Sequence, residues 1–225
     1  MISVIIPTYN EAKHIQRSID RLNLCKSSDI EIIVVDGGSA DETMAIASQC
    51  GATVLTSNPG RAVQMNAGAA TAQGTILLFL HADTEVPKDF DRWIQEGLDN
   101  DAIAGAFELK IADQNWLLRA IEWGVAIRSR FCQLPYGDQG IFLKSDTFHQ
   151  LGGFPELPIM EDFVLIQTLR KKGRIAIVPA AVLTSARRWQ TQGIWQTTLM
   201  NQGMIVGFYL GVKPERLRDW YRSGR

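Results

Sequence analysis

The sequence predicts an α/β fold in which a mostly parallel sheet is flanked by helices and followed by a C-terminal helical appendage. Short apolar strands alternate with helical segments through the N-terminal part, which is the pattern of βαβ units. A cluster of polar, turn-forming residues follows each of these strands. At 225 residues, 46% of them hydrophobic and 21% charged, the chain is long and apolar enough to form one large core without disulfides or metals.

Four apolar runs predict strands at residues 2–6, 31–35, 53–56 and 75–80. Between them, helical spacing of apolar or small residues predicts helices at residues 12–22, 41–50 and 61–71. Gly51 and Gly74 follow the second and third helices, as expected where a helix stops. Because crossovers between parallel strands are right-handed, the carboxyl ends of these strands should lie on one edge of the sheet.

The alternation loosens after residue 85. Helices are predicted at residues 88–98, 116–128, 162–171, 191–210 and 215–222. Strands are predicted at residues 102–110, 141–143 and 175–178, the last of them ended by Pro179. No internal repeat or linker interrupts the sequence, so we expect a single domain over residues 1–225, with a helical tail over residues 191–225.

Composition and charge exclude several classes of protein. The formal net charge is −1, without the basic excess of a dedicated nucleic-acid binder. Three cysteines, Cys25, Cys50 and Cys132, have no short spacing, which excludes a disulfide framework and a zinc cluster and favours a reducing cytoplasm. No apolar run is long enough to predict a membrane span, and the N-terminal residues lack the pattern of a signal peptide. We therefore expect a cytoplasmic protein.

The residues that follow the first four strands indicate a ligand site. The clusters are Pro7-Thr8-Tyr9-Asn10-Glu11, Asp36-Gly37-Gly38-Ser39, Ser57-Asn58-Pro59-Gly60-Arg61 and His81-Ala82-Asp83. In open α/β sheets, ligands bind beyond the carboxyl ends of the strands, where these clusters should meet. Each cluster alone is also ordinary turn chemistry. No G-x-G-x-x-G follows the first strand and no P-loop occurs, which argues against a dinucleotide site and a P-loop NTPase.

Together these motifs resemble family-2 glycosyltransferases of the GT-A fold, a Rossmann-like architecture. The resemblance rests on the first two clusters, on Asn66 and Asp83, and extends through Met160-Glu161-Asp162 and Arg187-Arg188-Trp189. Residues 60–68 and 80–84 resemble a small bacterial branch that is often labelled as arsenosugar-biosynthesis transferases associated with radical-SAM genes.

The resemblance implies transfer of a sugar from a nucleotide-diphosphate donor, UDP-type favoured, to an unknown acceptor, with inversion and with Mg or Mn as cofactor. Residues 1–85 would bind the nucleotide and residues 86–190 the acceptor. The donor-binding residues that it implies are Pro7, Thr8, Tyr9, Glu11, Asp36, Gly60, Arg61, Asn66, Arg187 and Arg188. Asn66 is expected to support its loop rather than to touch the sugar.

Two motifs depart from the family pattern. One acid, in Asp36-Gly37, stands where the family commonly has two, and the D-x-D metal motif is replaced by His81-Ala82-Asp83. Asp83 is the expected metal ligand, because a hard cation held mainly by phosphates and water needs only one or two protein carboxylates. Three roles of His81 remain open: a metal ligand, a partner of a metal ligand, or a buried neutral histidine.

The resemblance also assigns the acceptor side. Asp162 is implied as the general base, with Glu161 orienting it, although an acid pair at the start of a helix is also explained by the helix dipole. Asp138 and Gln139 would line the acceptor side, and Trp189 would form a platform for the acceptor.

Two other functions remain open from the sequence. A nucleotidyltransferase also uses acids at strand ends, but usually carries a Gly-rich basic loop after its first strand, where this chain has Pro7-Thr8-Tyr9-Asn10-Glu11. A non-catalytic nucleotide-sugar-binding protein would not need the Glu161-Asp162 pair.

The tail is predicted to be an association surface. Its first helix is apolar on two sides, and basic residues then mix with aromatic ones: Lys213, Arg216, Arg218, Trp220, Tyr221, Arg222 and Arg225. Such a composition suits the inner face of an anionic membrane, with peripheral attachment, or a homodimer. The alternative is a helix packed on its own domain.

Overall fold

The computed structural model describes residues 1–24, 29–99 and 101–223. The strands are β1 (Ile2–Thr8), β2 (Ile30–Asp36), β3 (Thr53–Thr56), β4 (Ile76–Phe79), β5 (Thr84–Glu85), β6 (Ala102–Ile111), β7 (Ile141–Lys144) and β8 (Arg174–Thr184). The helices are α1 (Ile15–Asn23), α2 (Thr43–Gln49), α3 (Arg61–Thr71), α4 (Phe90–Asp99), α5 (Trp116–Cys132), α6 (Ser145–Gln150), α7 (Glu161–Arg170), α8 (Arg187–Gln192), α9 (Ile194–Tyr209) and α10 (Pro214–Ser223). A short 3-10 helix, Gly137–Gln139, precedes β7.

The strands form one sheet in the order β3-β2-β1-β4-β7-β6-β8-β5. Strand β1 lies parallel to β2 and β4, β2 parallel to β3, and β6 parallel to β8. Strand β7 is antiparallel to β4 and β6, and β5 is antiparallel to β8. The predicted α/β class with a mostly parallel sheet is confirmed.

Alternate residues of β1 enter two separate cores, one on each face of the sheet. Val4 and Ile6 pack in a cluster with residues of α1, α4 and α5, whereas Ile5 packs in a cluster with residues of α3, α6 and α7. Strands buried on both faces read as continuous apolar runs, which is why the sequence revealed them.

The last two helices pack on the start of α7. Met204 of α9 and Leu217 of α10 form a third buried cluster with Phe163 of α7. In the described residues, none of the helices combines the length and the apolar character that crossing a membrane would require.

Several element predictions are wrong in detail. The helix predicted over 191–210 is interrupted at Gly193, whose φ of +85° is accessible to glycine but breaks a helix, so α8 and α9 are separate. The last strand passes through Pro179 because a register irregularity against β6 falls there, where a missing N–H is tolerated. The short α6 and β5 were not predicted. Cys25 and Arg225 lie outside the described residues; Cys50 and Cys132 are free thiols.

Candidate active site

A cleft of about 440 Å³ opens where β1 and β4 end. Its walls come from α3, from the loop before α7, and from α5, α8, α9 and α10. It gathers these predicted residues: Pro7, Thr8, Tyr9, Glu11, Arg61, His81, Asp83, Asp138, Asp162, Arg187, Arg188 and Trp189. The carboxyl edge of the sheet therefore holds most of the predicted site, as its parallel half requires.

Asp36 lies behind this cleft and organises a turn. Its fully buried carboxylate accepts hydrogen bonds from the backbone N–H groups of Gly38 and Ser39 and from the hydroxyls of Ser39 and Thr8. Burial by itself would raise the pKa of Asp36, but these hydrogen bonds outweigh it, with Ser39 contributing most, and hold the pKa below its ordinary value. Asp36 thus shapes the loop after β2 as an ionised acceptor.

Three further predicted residues are also engaged away from the cleft. Asn66 exchanges two hydrogen bonds of 2.9 Å with the backbone of Phe154, so it supports that distant loop rather than its own. The side chain of Gln139 is fully buried and donates to the Phe107 carbonyl at 2.9 Å, so it does not face an acceptor. Gly60 has φ of +144° at the start of α3, a conformation that favours glycine.

One arginine connects the two predicted ends of the donor site. The guanidinium of Arg187 donates to both oxygens of Glu11, at 2.9 and 3.3 Å, and lies 3.6 Å from Asp83 Oδ2. These bonds to Glu11, with its charge and that of Asp83, raise the pKa of Arg187. The ion pair with Glu11 therefore holds the Arg187 guanidinium beside Asp83, the carboxylate at the end of the loop that follows β4.

A second ion pair joins α3 to α7. Arg61 Nε lies 2.7 Å from Glu161 Oε1, and the Glu161 side chain is only 2% exposed whereas that of Arg61 is 44% exposed. The Glu161 carboxylate is the main cause of a raised pKa at Arg61. Glu161 thus carries a buried charge that Arg61 compensates. Its relation to Asp162 is that the two residues are neighbours in the first turn of α7.

Asp162 is oriented by the backbone. Its Oδ2 accepts the Gly137 N–H at 2.7 Å and its Oδ1 accepts the Phe163 N–H at 2.7 Å. A Cβ added at Gly137 would lie 2.9 Å from Asp162 Oδ2 and 3.2 Å from His81 Nε2, so both side chains approach the same face of this glycine. His81 therefore lies beside the acidic side of the cleft.

Asp138 presents a buried carboxyl oxygen at the cleft. Its Oδ1 is buried and has no hydrogen-bond partner among the residues that the structure describes. Burial raises the pKa of Asp138 above its ordinary value, because it outweighs the charges of Arg128 and His81, and Asp162 raises it further. An acceptor atom of this kind is available to a ligand donor.

Two hydrogen-bond donors line the same cleft as Asp138 and are buried like its Oδ1. Arg188 Nε and Trp189 Nε1 are buried without a hydrogen-bond partner in the described part of the chain, and both residues line the cleft. The remainder of the Arg188 guanidinium lies 4.5 Å from the Tyr221 ring centroid and bonds to the Tyr221 hydroxyl. The cleft thus presents both donors and an acceptor that its own side chains leave unsatisfied.

Sequence reasoning missed several lining residues. Gln64 donates 2.8 Å bonds to the carbonyls of Thr8 and Val35, which fastens the ends of β1 and β2. Arg128 lies 3.5 Å over the Tyr136 ring and, with it, borders Asp138. Two of them had a signal: Gln64 lies in the 60–68 segment that carries the family resemblance, and Tyr136 directly precedes Gly137-Asp138. Arg128 lies inside an ordinary helical pattern.

The chain resembles known proteins in sequence and in fold. The sequence profile of glycosyl transferase family 2 matches residues 3–152. An uncharacterised glycosyltransferase of Nostoc sp. is 33% identical over 122 residues, which cover 51% of this chain and 38% of that protein. The matched part is thus well under half of that relative.

Two solved structures share the fold. S. aureus TarS 1–349 in complex with UDP-GlcNAc has a TM-score of 0.65 and 20% identity, over 82% of this chain and 58% of that one. A mannosyltransferase of Pyrobaculum calidifontis in complex with GDP-Man and Mn²⁺ has a TM-score of 0.68 and 18% identity, over 90% and 61%.

Proposed function

Because the chain belongs to glycosyl transferase family 2, we propose that it transfers a sugar from a nucleotide-diphosphate donor to an acceptor hydroxyl, in one inverting step. The observation that carries the proposal is the meeting of Asp83 and Asp162, from distant parts of the chain, in one cleft. The two carboxylates enter it from different elements, so one can serve the leaving diphosphate and the other the attacking nucleophile.

The donor is proposed to lie along the ends of β1 and β4. Pro7, Thr8, Tyr9 and Glu11 border the cleft there, above the turn that Asp36 organises. The two structural neighbours bind a UDP-sugar and a GDP-sugar respectively, which supports the nucleotide-diphosphate class. A preference for UDP remains our proposal, as do a nucleotide-binding part over residues 1–85, an acceptor part over 86–190 and the arsenosugar-type branch.

The residues present are compatible with Mg²⁺ or Mn²⁺. No three His, Cys, Asp or Glu side chains gather as a ready metal site in the ranges that the structure describes. Asp83, with a side chain 23% exposed at the cleft, offers one hard carboxylate, which is sufficient when phosphates and water complete the coordination. A bound cation would offset the charge that develops on the leaving diphosphate. His81 faces Gly137 and Asp162, so we propose that it belongs to the Asp162 side of the cleft.

Arg187 and Arg188 are proposed to bind the diphosphate. Arg187 already lies between Glu11 and Asp83, and the Arg188 Nε is unmatched inside the cleft. Guanidinium groups suit phosphate oxygens because they present several donors in a fixed plane. Both would therefore hold the donor without taking part in proton transfer.

Asp162 is proposed as the general base. The acceptor oxygen forms a bond to the anomeric carbon while the bond from that carbon to the diphosphate oxygen breaks, and the acceptor proton moves to Asp162. The two backbone N–H groups that bind Asp162 fix the orientation of its carboxylate. Asp138 and Trp189 would contact the acceptor, and Glu161, compensated by Arg61, would hold the start of α7 in place.

Replacing Asp162 with Asn tests the proposal. We expect turnover to fall by about 10²–10⁴, the usual contribution of a general base. Donor affinity should stay close to that of the wild type, because Asp162 makes no contact with the nucleotide in the proposed arrangement. Calorimetric titration with the donor, paired with turnover of the same preparation, separates the two effects.

The matched control is Glu161→Gln, one residue away. It leaves Arg61 without its buried partner and should lower the melting temperature, which Asp162→Asn should change much less. An Asp162→Asn enzyme that turns over normally, or one whose main defect is donor binding, would show that Asp162 is not the base.

A further inference from the structure

Exposed apolar side chains are concentrated on three helices. Of the fourteen large apolar or aromatic side chains exposed in the described residues, ten belong to α5, α9, α10 or the residue after α9. They are Trp116, Trp123, Ile127, Phe131, Trp195, Leu199, Val206, Tyr209, Leu210 and Trp220. We refer to this set as the apolar surface.

The spacing of these residues makes a continuous row on each long helix. Trp116, Trp123, Ile127 and Phe131 recur at helical intervals along α5, and Trp195, Leu199, Val206 and Tyr209 do so along α9. The exposures are large, 70% at Trp123, 82% at Phe131 and 69% at both Trp195 and Leu199. Both helices also line the cleft, through Ile121 and Val125 on α5 and Thr198 and Ile205 on α9.

The same segments carry a net positive charge. Residues 116–132 and 187–223 contain nine Lys or Arg and three Asp or Glu, a net charge of +6, although the whole chain has −1. Several of these cations have protein partners, as in the pairs Arg119–Glu122 and Arg187–Glu11. No described carboxylate forms an ion pair with Lys213, Arg216 or Arg222, which flank the exposed Trp220 on α10. Positive charge thus accompanies the apolar surface on α10 and in the residue before it.

We infer that the apolar surface and its basic residues dock the enzyme on an anionic lipid bilayer. Indole and phenyl rings are stabilised at the headgroup level, and nearby Lys and Arg are attracted to anionic lipids. A second copy of this chain is the less favourable occupant, because Lys213, Arg216 and Arg222 of one copy would be repelled by the same cations of the other. The proposed function adds one consequence, which rests on it: the acceptor would reach the cleft between α5 and α9 from the membrane.

Flotation with vesicles tests the inference without any activity assay. Full-length protein should float with 1:1 phosphatidylglycerol–phosphatidylcholine vesicles, float poorly with pure phosphatidylcholine, and dissociate in 0.5 M NaCl. Two double variants test the apolar surface and the basic residues separately. They are Trp123→Ser with Phe131→Ser for the apolar surface, and Lys213→Glu with Arg216→Glu for the basic residues. Each should lower partitioning into the anionic vesicles at least ~10-fold.

The matched control is Leu24→Ser with Met44→Ser, two exposed apolar residues at the ends of α1 and α2, away from this surface. It should bind vesicles like the wild type. Donor calorimetry on every variant should show unchanged affinity, so vesicle binding is judged independently of the proposed reaction. The inference is overturned if the wild type does not float with anionic vesicles or if Trp123→Ser with Phe131→Ser floats equally well. It is also overturned if light scattering shows a dimer that this variant dissociates, in the absence of vesicle binding.

Discussion

At the scale of single residues, the ion pair between Arg61 and Glu161 changes what each residue can do. Arg61 was predicted to contact the base or a phosphate, yet its Nε is 2.7 Å from a carboxylate that is almost fully buried. Removing Arg61 from this pair would leave an uncompensated buried charge on Glu161. Both residues thus have a structural role, and Asp162 remains as the carboxylate of the pair that faces the cleft.

Asp83 permits a direct test of metal dependence. Asp83→Asn keeps the size of the side chain and removes its charge, so activity with Mg²⁺ or Mn²⁺ should fall by at least ~10²-fold if this is the protein's hard ligand. The fold should persist, because Asp83 lies outside the buried core. Turnover against metal concentration, together with a melting curve, measures both effects.

His81→Ala is the control for that experiment. His81 lies toward Gly137 and Asp162, so its loss should be milder and should leave the metal optimum unchanged. If Asp83→Asn kept near-normal activity with the same metal optimum, the assignment of Asp83 would be wrong.

At the scale of elements, α3 sits unusually close to the sheet. Gly68 faces β1 and β2, and a Cβ there would be 2.5 Å from Ile5 Cγ2 and 3.0 Å from Val35 Cγ2. Gly68→Ala should therefore destabilise the protein by about 1–3 kcal/mol through overpacking. For a chain of this size that corresponds to a melting temperature lower by roughly 2–12 °C.

The same substitution on α5 should have the opposite sign. A Cβ at Gly124 would meet no heavy atom within 4 Å, so Gly124→Ala should raise stability by about 0.5–1 kcal/mol through helix propensity alone. Thermal unfolding of the two variants side by side measures the difference. Equal melting temperatures would mean that α3 can move away from the sheet at little cost.

At the scale of the whole molecule, the cleft depends on contacts between segments far apart in the chain. Arg187 reaches Glu11 across 176 residues, and Asn66 fastens the loop of Phe154 across 88. A donor bound in the cleft would touch several of these segments at once, and a ligand that binds only the folded state shifts the unfolding equilibrium.

Nucleotide binding should consequently raise the melting temperature. At about 100 times its Kd a ligand stabilises by ~2.7 kcal/mol, or roughly 5–11 °C for this chain. We expect UDP with Mn²⁺ to give the largest shift in a series with GDP, dTDP and CMP, and Asp83→Asn to abolish the part that depends on the metal. A series in which every nucleotide leaves the melting temperature unchanged would contradict the donor site.

The sheet class and the edge that carries the site follow from the sequence alone. Strands such as β1 are buried on both faces, so their apolar runs are visible locally, and the polar residues that end them, from Thr8 to Asp83, are neighbours in the fold because parallel strands share an edge. Local pattern also sufficed for α3, whose predicted and observed bounds agree.

Which of those polar groups are available to a ligand depends on tertiary packing. Asp36 and Gln139 have hydrogen-bond partners in the protein and Glu161 has an ion-pair partner, whereas Asp138 Oδ1, Arg188 Nε and Trp189 Nε1 are buried without a hydrogen bond among the described residues. Sequence patterns report burial and local geometry. Whether a buried polar atom finds a hydrogen-bond or ion-pair partner depends on side chains from distant parts of the chain, as Arg61 is the partner of Glu161. The break at Gly193 likewise separated α8 from α9, so the two helices contribute Arg188 and Thr198 to the same cleft from different directions.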